Sequence, residues 1–475
     1  MIKRLLAVAL LMLANNLYAQ DRVKLSGKIT NALSDSISVS YNNNRIAYYP
    51  NEYSAHIDKN GRFSLSFPVP AGIYVQAEIK HGGKVAEVLL YGGDSLVLEV
   101  RADHFDSTIH YTGRGGEIQN FIAKHSLAIG RMNQYTIRAK EAINKEPADF
   151  LKTLEKEKRT EIEFLNKNKT GLPESFIKYW TAFYQYYNYF FTEQYPQIHE
   201  MIRLRRYTDT VPAANYIVTK DLPFAFNDTL LQVPSYLLYL TGIFEVTLKA
   251  AGYNYIGKDT IIVREQQDSV NRLAYKTLPD KSAEYFVAQN IYGRARYQRP
   301  DRTDAQYREF KLHWPKSEYM YLLNQQVNLA RRLAQGQPAP DFDIVTQDGR
   351  KMKLSDMRGK VVYLGFWASY CRQCLAEMLR EKNVKELIRN KPLEFVYVSI
   401  DKDTAGVSML INKYKMEGIF TNATGEWNSR EVGLYGVQGL PAYFLIDEDG
   451  NFAVQNAPTP TNPTVLILEI EKLFK

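Results

Sequence analysis

The sequence predicts a multidomain chain in three parts: an N-terminal β-sandwich, a middle all-α bundle and a C-terminal α/β domain. Three observations carry that expectation. Apolar residues recur at strand spacing from 21 to about 112, then at helical spacing from about 113 to 335. A stretch rich in turn formers, Gln335-Gly336-Gln337-Pro338-Ala339-Pro340, closes the helical part. Beyond it strand and helix signals alternate, as in βαβ units around a mostly parallel sheet. With 475 residues the chain is long enough for about three domains, each burying its own core. The expected divisions are 1–19 as a leader, 20–112, 113–335 and 336–475.

The first twenty residues set the compartment. Lys3 and Arg4 precede an apolar run from Leu5 to Ala14, and Leu17-Tyr18-Ala19 supplies a small-residue cleavage site before Gln20. This is the layout of a secretory signal peptide. An uncleaved anchor is the alternative, but a membrane helix needs about 20 apolar residues and the run is shorter. No cysteine follows the cleavage site, so lipid attachment there is chemically impossible. The later apolar segment Ser235–Leu248 is short and carries Glu245, so it reads as a buried helix. The chain is therefore expected in the periplasm or cell envelope, with no integral membrane span after signal cleavage. Arg294, Arg296, Arg299 and Arg302, interleaved with Tyr292 and Tyr297, mimic a nucleic-acid patch. The formal charge is only +8 and an exported protein does not meet DNA, so they read as a solvated helix connection and no nucleic-acid partner is expected.

In the first part, Leu25–Ile29, Ser36–Tyr41, Arg62–Phe67, Ile73–Ile79 and Ser95–Val100 read as strands. Asp58-Lys59-Asn60-Gly61 supplies a hairpin turn and Tyr91-Gly92-Gly93-Asp94 a bend. In the second part, residues 149–166 place Phe150, Leu151, Leu154, Ile162 and Phe164 amid Lys and Glu, an amphipathic surface helix. Residues 174–191 are apolar nearly all round and should lie at a bundle centre. Further helices are expected at 234–250, 268–292 and 316–335. The tyrosines concentrated here read as core and interface filler rather than a ligand groove. In the third part, Val361–Trp367 is a continuous apolar run, as in a central strand covered on both faces. A helix over 372–390, a strand over 395–400, a helix over 405–415 and a strand over 442–446 follow. The turn Glu448-Asp449-Gly450, a short strand and a last helix from Val465 complete the part.

The chemistry concentrates in two atoms. The chain has 2 cysteines, too few for a disulfide-stapled scaffold or a thiolate-only metal site. Both fall in Trp367-Ala368-Ser369-Tyr370-Cys371-Arg372-Gln373-Cys374, where the central strand meets a helix. Three-residue spacing across a helix start brings two sulfurs close enough to form or break a disulfide with little backbone movement. Unpaired N–H groups at that helix start stabilise an anion on Cys371, with Arg372 adding positive charge, and such placement lowers a thiol from about 8.5 towards 3.5–7.5. Cys374, one turn in, is then the sheltered thiol that resolves a mixed disulfide. Half a zinc site, two structural cysteines and a Cys/His hydrolase are the alternatives. All 7 histidines lie at or before His313, which weakens the first and last.

Residues 336–475 resemble the TlpA/ResA-like thiol–disulfide oxidoreductases of the bacterial envelope, within the wider thioredoxin and AhpC/TSA superfamily. The residues that carry the resemblance are Gln337-Pro338-Ala339-Pro340-Asp341-Phe342, Gly349 with Leu354-Ser355-Asp356, and Gly359-Lys360-Val361-Val362. It continues through Phe366-Trp367-Ala368-Ser369, the cysteine pair, Glu377, and Gly439-Leu440-Pro441 before Phe444-Leu445-Ile446-Asp447. The first 335 residues more loosely resemble the β-rich and helical extension ahead of such domains in some envelope proteins.

The resemblance implies a C-terminal thioredoxin fold, with Cys371 as nucleophile and Cys374 as resolving cysteine. It also implies a cis Pro441 against the active-site sulfur, with the backbone of Leu440 free to pair with an extended client segment. Glu377 matches a glutamate one turn beyond the resolving cysteine, suited to shuttle its proton; a solvated helix glutamate is the alternative. The sequence also departs from pattern. Gly365 stands where thioredoxin carries a buried Asp, Tyr370 replaces the usual Trp, and Arg372-Gln373 contains no proline.

The reading is thus a periplasmic or envelope enzyme that reduces or isomerises client disulfides. It needs no cofactor beyond the Cys371–Cys374 disulfide itself. Cys371, Cys374 and Glu377 are the catalytic candidates, and Tyr370, Leu440 and Pro441 the substrate-binding ones. Its partners would be envelope proteins with thiols or disulfides and an upstream thiol electron donor. Two alternatives remain open. An AhpC/TSA-type peroxidase would place a Thr where Cys371 stands, and a client-binding protein would carry a vestigial redox domain.

Overall fold

The computed structural model describes residues 20–42, 45–47, 50–132, 135–203, 226–250, 270–295, 300–388 and 390–474. The leader read over 1–19 lies outside them, as do Arg296, Tyr297 and Arg299 of the basic cluster. The chain divides into two compact units. One takes the residues up to Asn290 with Trp314–Tyr319, and the other Ile291–His313 with the chain from Met320 onward.

The first unit opens with strands β1 (Gln20–Thr30), β2 (Ser36–Asn42), β3 (Pro50–His56) and β4 (Arg62–Pro70). Strands β5 (Tyr74–His81), β6 (Lys84–Tyr91), β7 (Ser95–Arg101) and β8 (His110–Arg114) follow. Among the described residues they form two sheets, ordered β4-β1-β7-β8 and β3-β2-β5-β6. Alternation works as expected: Val23, Leu25, Phe67 and Leu98 from one sheet share a single buried cluster with Val39, Ile79 and Val88 from the other. Three strands, β3, β6 and β8, escape the reading by periodicity. β3 has too few apolar residues among Asn51, Glu52, Ser54 and His56, and β6 ends in an unbroken Val88-Leu89-Leu90. The turn before β4 forms because an Asp58 carboxylate oxygen accepts the Asn60 and Arg62 N–H groups, 2.8 Å each. Gly61 there adopts φ +77°, which a side chain would resist.

Helical residues follow, including Gly116–Ala128, Pro147–Asn168, Glu174–Arg203 and Pro234–Ala250. The long helix Glu174–Arg203 buries Phe176, Trp180, Phe183, Tyr184, Tyr187, Phe191 and Tyr195, and Tyr236 and Tyr239 of the later helix are buried too. These tyrosines are core. Buried His125 and Glu161 pair at 2.8 Å within this unit. The single helix expected over 268–292 is two, residues 270–277 and Asp280–Arg294, because Pro279 has no N–H to continue the first. No helix among the described residues is long and apolar enough to cross a membrane.

The second unit carries helices Pro300–His313 and Met320–Arg332, a hairpin of β9 (Asp343–Val345) and β10 (Lys351–Lys353), and a larger sheet. That sheet comprises β11 (Val361–Trp367), β12 (Leu393–Ser399), β13 (Ile419–Asn422), β14 (Ala442–Ile446) and β15 (Phe452–Val454). Its order is β13-β12-β11-β14-β15. β13, β12 and β11 run parallel, whereas β11/β14 and β14/β15 are antiparallel, so the sheet is mixed rather than mostly parallel. The tight turn at Glu448-Asp449-Gly450 explains the last pair, since so short a connection can only reverse the chain.

β11 is buried at every position because both faces are covered. Val362, Leu364 and Phe366 enter one core cluster, while Val361, Tyr363 and Trp367 enter the other. The helix expected over 372–390 is two, Arg372–Met378 and Glu381–Ile388. Between them the Arg380 N–H turns to the Glu377 carbonyl (3.0 Å), a tighter bond than α-helix allows.

Candidate active site

The site is assembled at the carboxyl end of β11. After Trp367 and Ala368, both buried, the chain leaves the sheet and is clamped at once by Asp401. The Asp401 carboxylate accepts the Ser369 N–H (2.8 Å), the Ser369 hydroxyl (2.6 Å) and the Ser399 hydroxyl (2.6 Å). Asp401 follows β12, whose Ser399 pairs in parallel register with Trp367, so neighbouring strand ends deliver the carboxylate to the loop. Sequence reading missed this residue. Its signal was available: Asp401 closes the strand beside β11, at the carboxyl edge where parallel sheets build their sites. Asp401→Ala is expected to loosen the loop and cost about 1–3 kcal/mol through the orphaned donors of Ser369, read as a lower thermal midpoint.

The clamped loop leads into the helix Arg372–Met378, which we term the Cys helix. Cys371 is its N-cap: its Sγ accepts the Cys374 N–H at 3.1 Å, and its own N–H bonds the Ala368 carbonyl at 3.0 Å. The two cysteines are joined as a disulfide, with Cα atoms 5.2 Å apart. Their environments differ. Cys374 is 0% exposed, while Cys371 is only half-buried and opens to the surface beside Tyr370, which is 63% exposed. An incoming group therefore has access to one sulfur and not to the other.

Pro441 arrives from the adjacent strand. The Leu440–Pro441 peptide is cis, and the next residue, Ala442, pairs with Phe366 near the end of β11. Leu440 and Cys371 pack against the same two core clusters. The structure thus brings Tyr370, Leu440 and Pro441 to the end of the sheet that holds the cysteines.

Glu377 lies one turn beyond Cys374 and is 5% exposed, so it is not a solvated helix glutamate. Its Oε2 accepts the Thr461 N–H at 2.8 Å. Four residues on lies a second buried carboxyl that sequence reading did not single out. Glu381, 1% exposed, takes the hydroxyl hydrogen of Tyr397 and has Lys385 Nζ at 3.3 Å. Burial pushes the Glu381 carboxyl up to about 7, against the pull of Lys385 and Tyr397. The sign for stability follows: a carboxyl raised on folding stabilises fully below its ordinary value of 4.5, and that contribution is lost as pH rises through about 7. Glu381→Gln is expected to flatten this loss, on the order of 3 kcal/mol, in chemical unfolding followed from pH 5 to 8.

Gly365 explains itself sterically. A Cβ there would stand 2.9 Å from Tyr443 Cε1 and 3.2 Å from Tyr397 Cδ1, so two tyrosine rings fill the place of a strand aspartate. Gly365→Asp is expected to overpack this layer and destabilise by about 1–3 kcal/mol, visible as a lower unfolding midpoint.

The Redoxin family matches residues 334–465. Thiol-disulfide oxidoreductase ResA of Bacillus thuringiensis (strain Al Hakam) is 32% identical over 120 residues, covering 25% of this chain and 68% of that protein. The protein of the same name from Bacillus subtilis (strain 168) is 27% identical over 143 residues, covering 30% and 77%. Among solved structures, the thioredoxin domain of a thiol-disulfide oxidoreductase from Bacteroides vulgatus is 22% identical and covers 30% of this chain and 99% of its own, with a TM-score of 0.28.

Proposed function

The chain belongs to the ResA-like thiol–disulfide oxidoreductases of the Redoxin family, and from that premise we propose that it reduces or isomerises disulfides of client proteins in the bacterial envelope. Cys371 is the attacking thiol and Cys374 the resolving one. One observation carries this reading: a joined cysteine pair in which one sulfur opens to the surface and the other is fully buried.

In the reduced enzyme, the Cys371 thiolate attacks one sulfur of a client disulfide. The client's other sulfur leaves as a thiolate and takes a proton from water. Cys374 then gives its proton to Glu377 and attacks Cys371. The S–S bond to the client breaks, its second sulfur leaves as a thiolate, and the enzyme ends in the Cys371–Cys374 disulfide. Two electrons have passed to the client, and an upstream thiol donor restores them. No cofactor is needed beyond the cysteine pair. The Leu440 backbone ahead of Pro441 would pair with an extended client segment, with Tyr370 as an apolar contact beside the sulfur.

The same reading divides the chain into a leader at 1–19, a β-sandwich at 20–112, a helical bundle at 113–335 and the thioredoxin-like domain at 336–475. The leader motif supports export to the periplasm or envelope. The upstream parts would select or orient clients, a role suggested by their size and aromatic content.

Insulin reduction by the purified protein with a thiol reductant tests the activity. Precipitation of insulin chains well above the rate of the reductant alone is expected, and peroxide consumption in the same buffer should stay near background. Fast peroxide consumption without insulin reduction would replace this reading with a peroxidase.

A further inference from the structure

We infer that Trp427 is a specificity-determining residue: with Tyr370 it forms an exposed aromatic ledge beside Cys371 that receives a bulky apolar side chain flanking the client's cysteine. This deepens the redox reading proposed above and rests on it, since that reading brings a client to Cys371. Nothing in the run Gly425-Glu426-Trp427-Asn428 marks the residue in the sequence, because only the fold carries it to the cysteines.

The placement of Trp427 follows from the strand ends. β12 and β13 run parallel, with Ser399 opposite Asn422, so they leave the sheet side by side. After β13 the Ala423 N–H donates to the Ser399 carbonyl at 2.8 Å. The Ser399 hydroxyl donates to Asp401, and Asp401 in turn holds the Ser369 N–H and hydroxyl. The loop that carries Trp427 and the loop that carries Tyr370 are therefore moored to the same strand end. A tight turn then stiffens the approach. The Asn428 N–H donates to the Gly425 carbonyl (2.9 Å) and the Ser429 N–H to the Glu426 carbonyl (3.1 Å). The Ser429 hydroxyl caps the next helix, Arg430–Tyr435, by accepting the Val432 N–H at 3.3 Å. Held from both sides, Trp427 gives its indole N–H, the one donor of that side chain, to the Tyr370 hydroxyl.

Trp180 and Trp367 are buried, whereas Trp427 is 43% exposed and Tyr370 more exposed still. Two large aromatic side chains left together in water beside a reactive sulfur mark a contact surface. The hydrogen bond between them satisfies the polar edge of each, leaving apolar ring faces to the solvent. Tyr and Trp anchored in this way offer a large, rigid contact area at little cost in conformational entropy. The occupant follows from the chemistry. A client disulfide must come to Cys371, because Cys374 is fully buried, so the residues next to the client's cysteine pass over the surface next to Cys371. The Leu440 backbone offers such a segment hydrogen bonds, and the ledge offers it apolar contact. A segment with a bulky apolar residue beside its cysteine gains most.

The test uses the full-length reduced protein and short peptides whose single cysteine is joined by a disulfide to 2-nitro-5-thiobenzoate. The Cys371 thiolate attacks the peptide sulfur, the S–S bond breaks, and the coloured aromatic thiolate leaves with the electron pair. Its release in stopped flow therefore times the arrival of the peptide on Cys371. The peptides carry Phe or Ser directly before or directly after the cysteine and are otherwise identical. Wild type is expected to prefer Phe over Ser at one of these positions by about tenfold in second-order rate. Trp427→Ala should shrink that preference to about twofold or less, and Trp427→Phe should keep most of it. Tyr370→Ala, which removes the other ring, should shrink the same ratio and decides the matter if Trp427→Ala does not fold. A purely structural role would slow Phe and Ser peptides alike. An unchanged ratio in the alanine variants would therefore overturn the inference, as would a wild type without preference. Rates per enzyme that fall as the protein is concentrated would give the rings to a second copy of the chain and likewise overturn it. Release of no thiolate from any peptide would instead remove the redox reading beneath it.

Discussion

Cys371→Ser is expected to bring insulin reduction down to the rate of the reductant alone, a loss on the order of 10³-fold. Thiol–disulfide exchange needs a thiolate as attacking group, and a serine hydroxyl does not ionise near neutral pH. No other sulfur can take over, because the only other cysteine, Cys374, is fully buried. Unfolding is not the cause to fear. The disulfide closes a loop of very few residues, and chain-entropy arguments give such a loop only about 2 kcal/mol. Circular dichroism and the thermal midpoint should therefore stay close to those of the reduced wild type while activity disappears. Retention of a substantial fraction of activity would mean that reduction proceeds by a route other than these sulfurs.

The second large effect is qualitatively different. Cys374→Ser should leave the first attack intact and strip out the escape from it, so that a covalent complex with the client accumulates. In the wild type that complex should be short-lived, because Cys374 sits one turn from Cys371 with its N–H 3.1 Å from the neighbouring sulfur. Intramolecular placement of this kind is worth a high effective concentration. Without it, release must wait for an external thiol, and turnover should fall on the order of 10²-fold or more. On non-reducing gels of an envelope extract the variant should show bands that collapse on adding reductant, absent in Cys371→Ser and in the double variant. If Cys374→Ser yields no mixed species with insulin or extract, the division of labour between the two sulfurs is wrong.

Much of the site was legible in the chain because it is local. The cysteine spacing, the apolar run of Val361–Trp367 and the helix Arg372–Met378 after it are neighbours in the chain, and local pattern specifies local structure. Pro441 was legible only through resemblance, since nothing in its own neighbourhood says that β14 lands beside β11. What escaped was mostly non-local. Asp401 reaches Ser369 across a strand pairing, and no periodicity announces a carboxylate delivered from the next strand's end. Glu381 looks like a solvated helix residue beside Lys382 and Lys385, and only the tertiary fold places it under Tyr397. The turn to antiparallel pairing at β14 likewise depends on where the chain returns. In the upstream unit, β3 was missed because its polar residues mask the alternation that a half-buried strand should show.

In the reduced protein Cys371 should stay ionised at a surface where its partner is sheltered. The most direct test is the rate of iodoacetamide alkylation of each cysteine in the reduced protein as a function of pH, with the modified residue identified by mass. Cys371 is expected to react first and to titrate well below the ordinary thiol value of about 8.5, while Cys374 stays nearly inert. Equal, slow alkylation of both, with midpoints near that ordinary value, would contradict it.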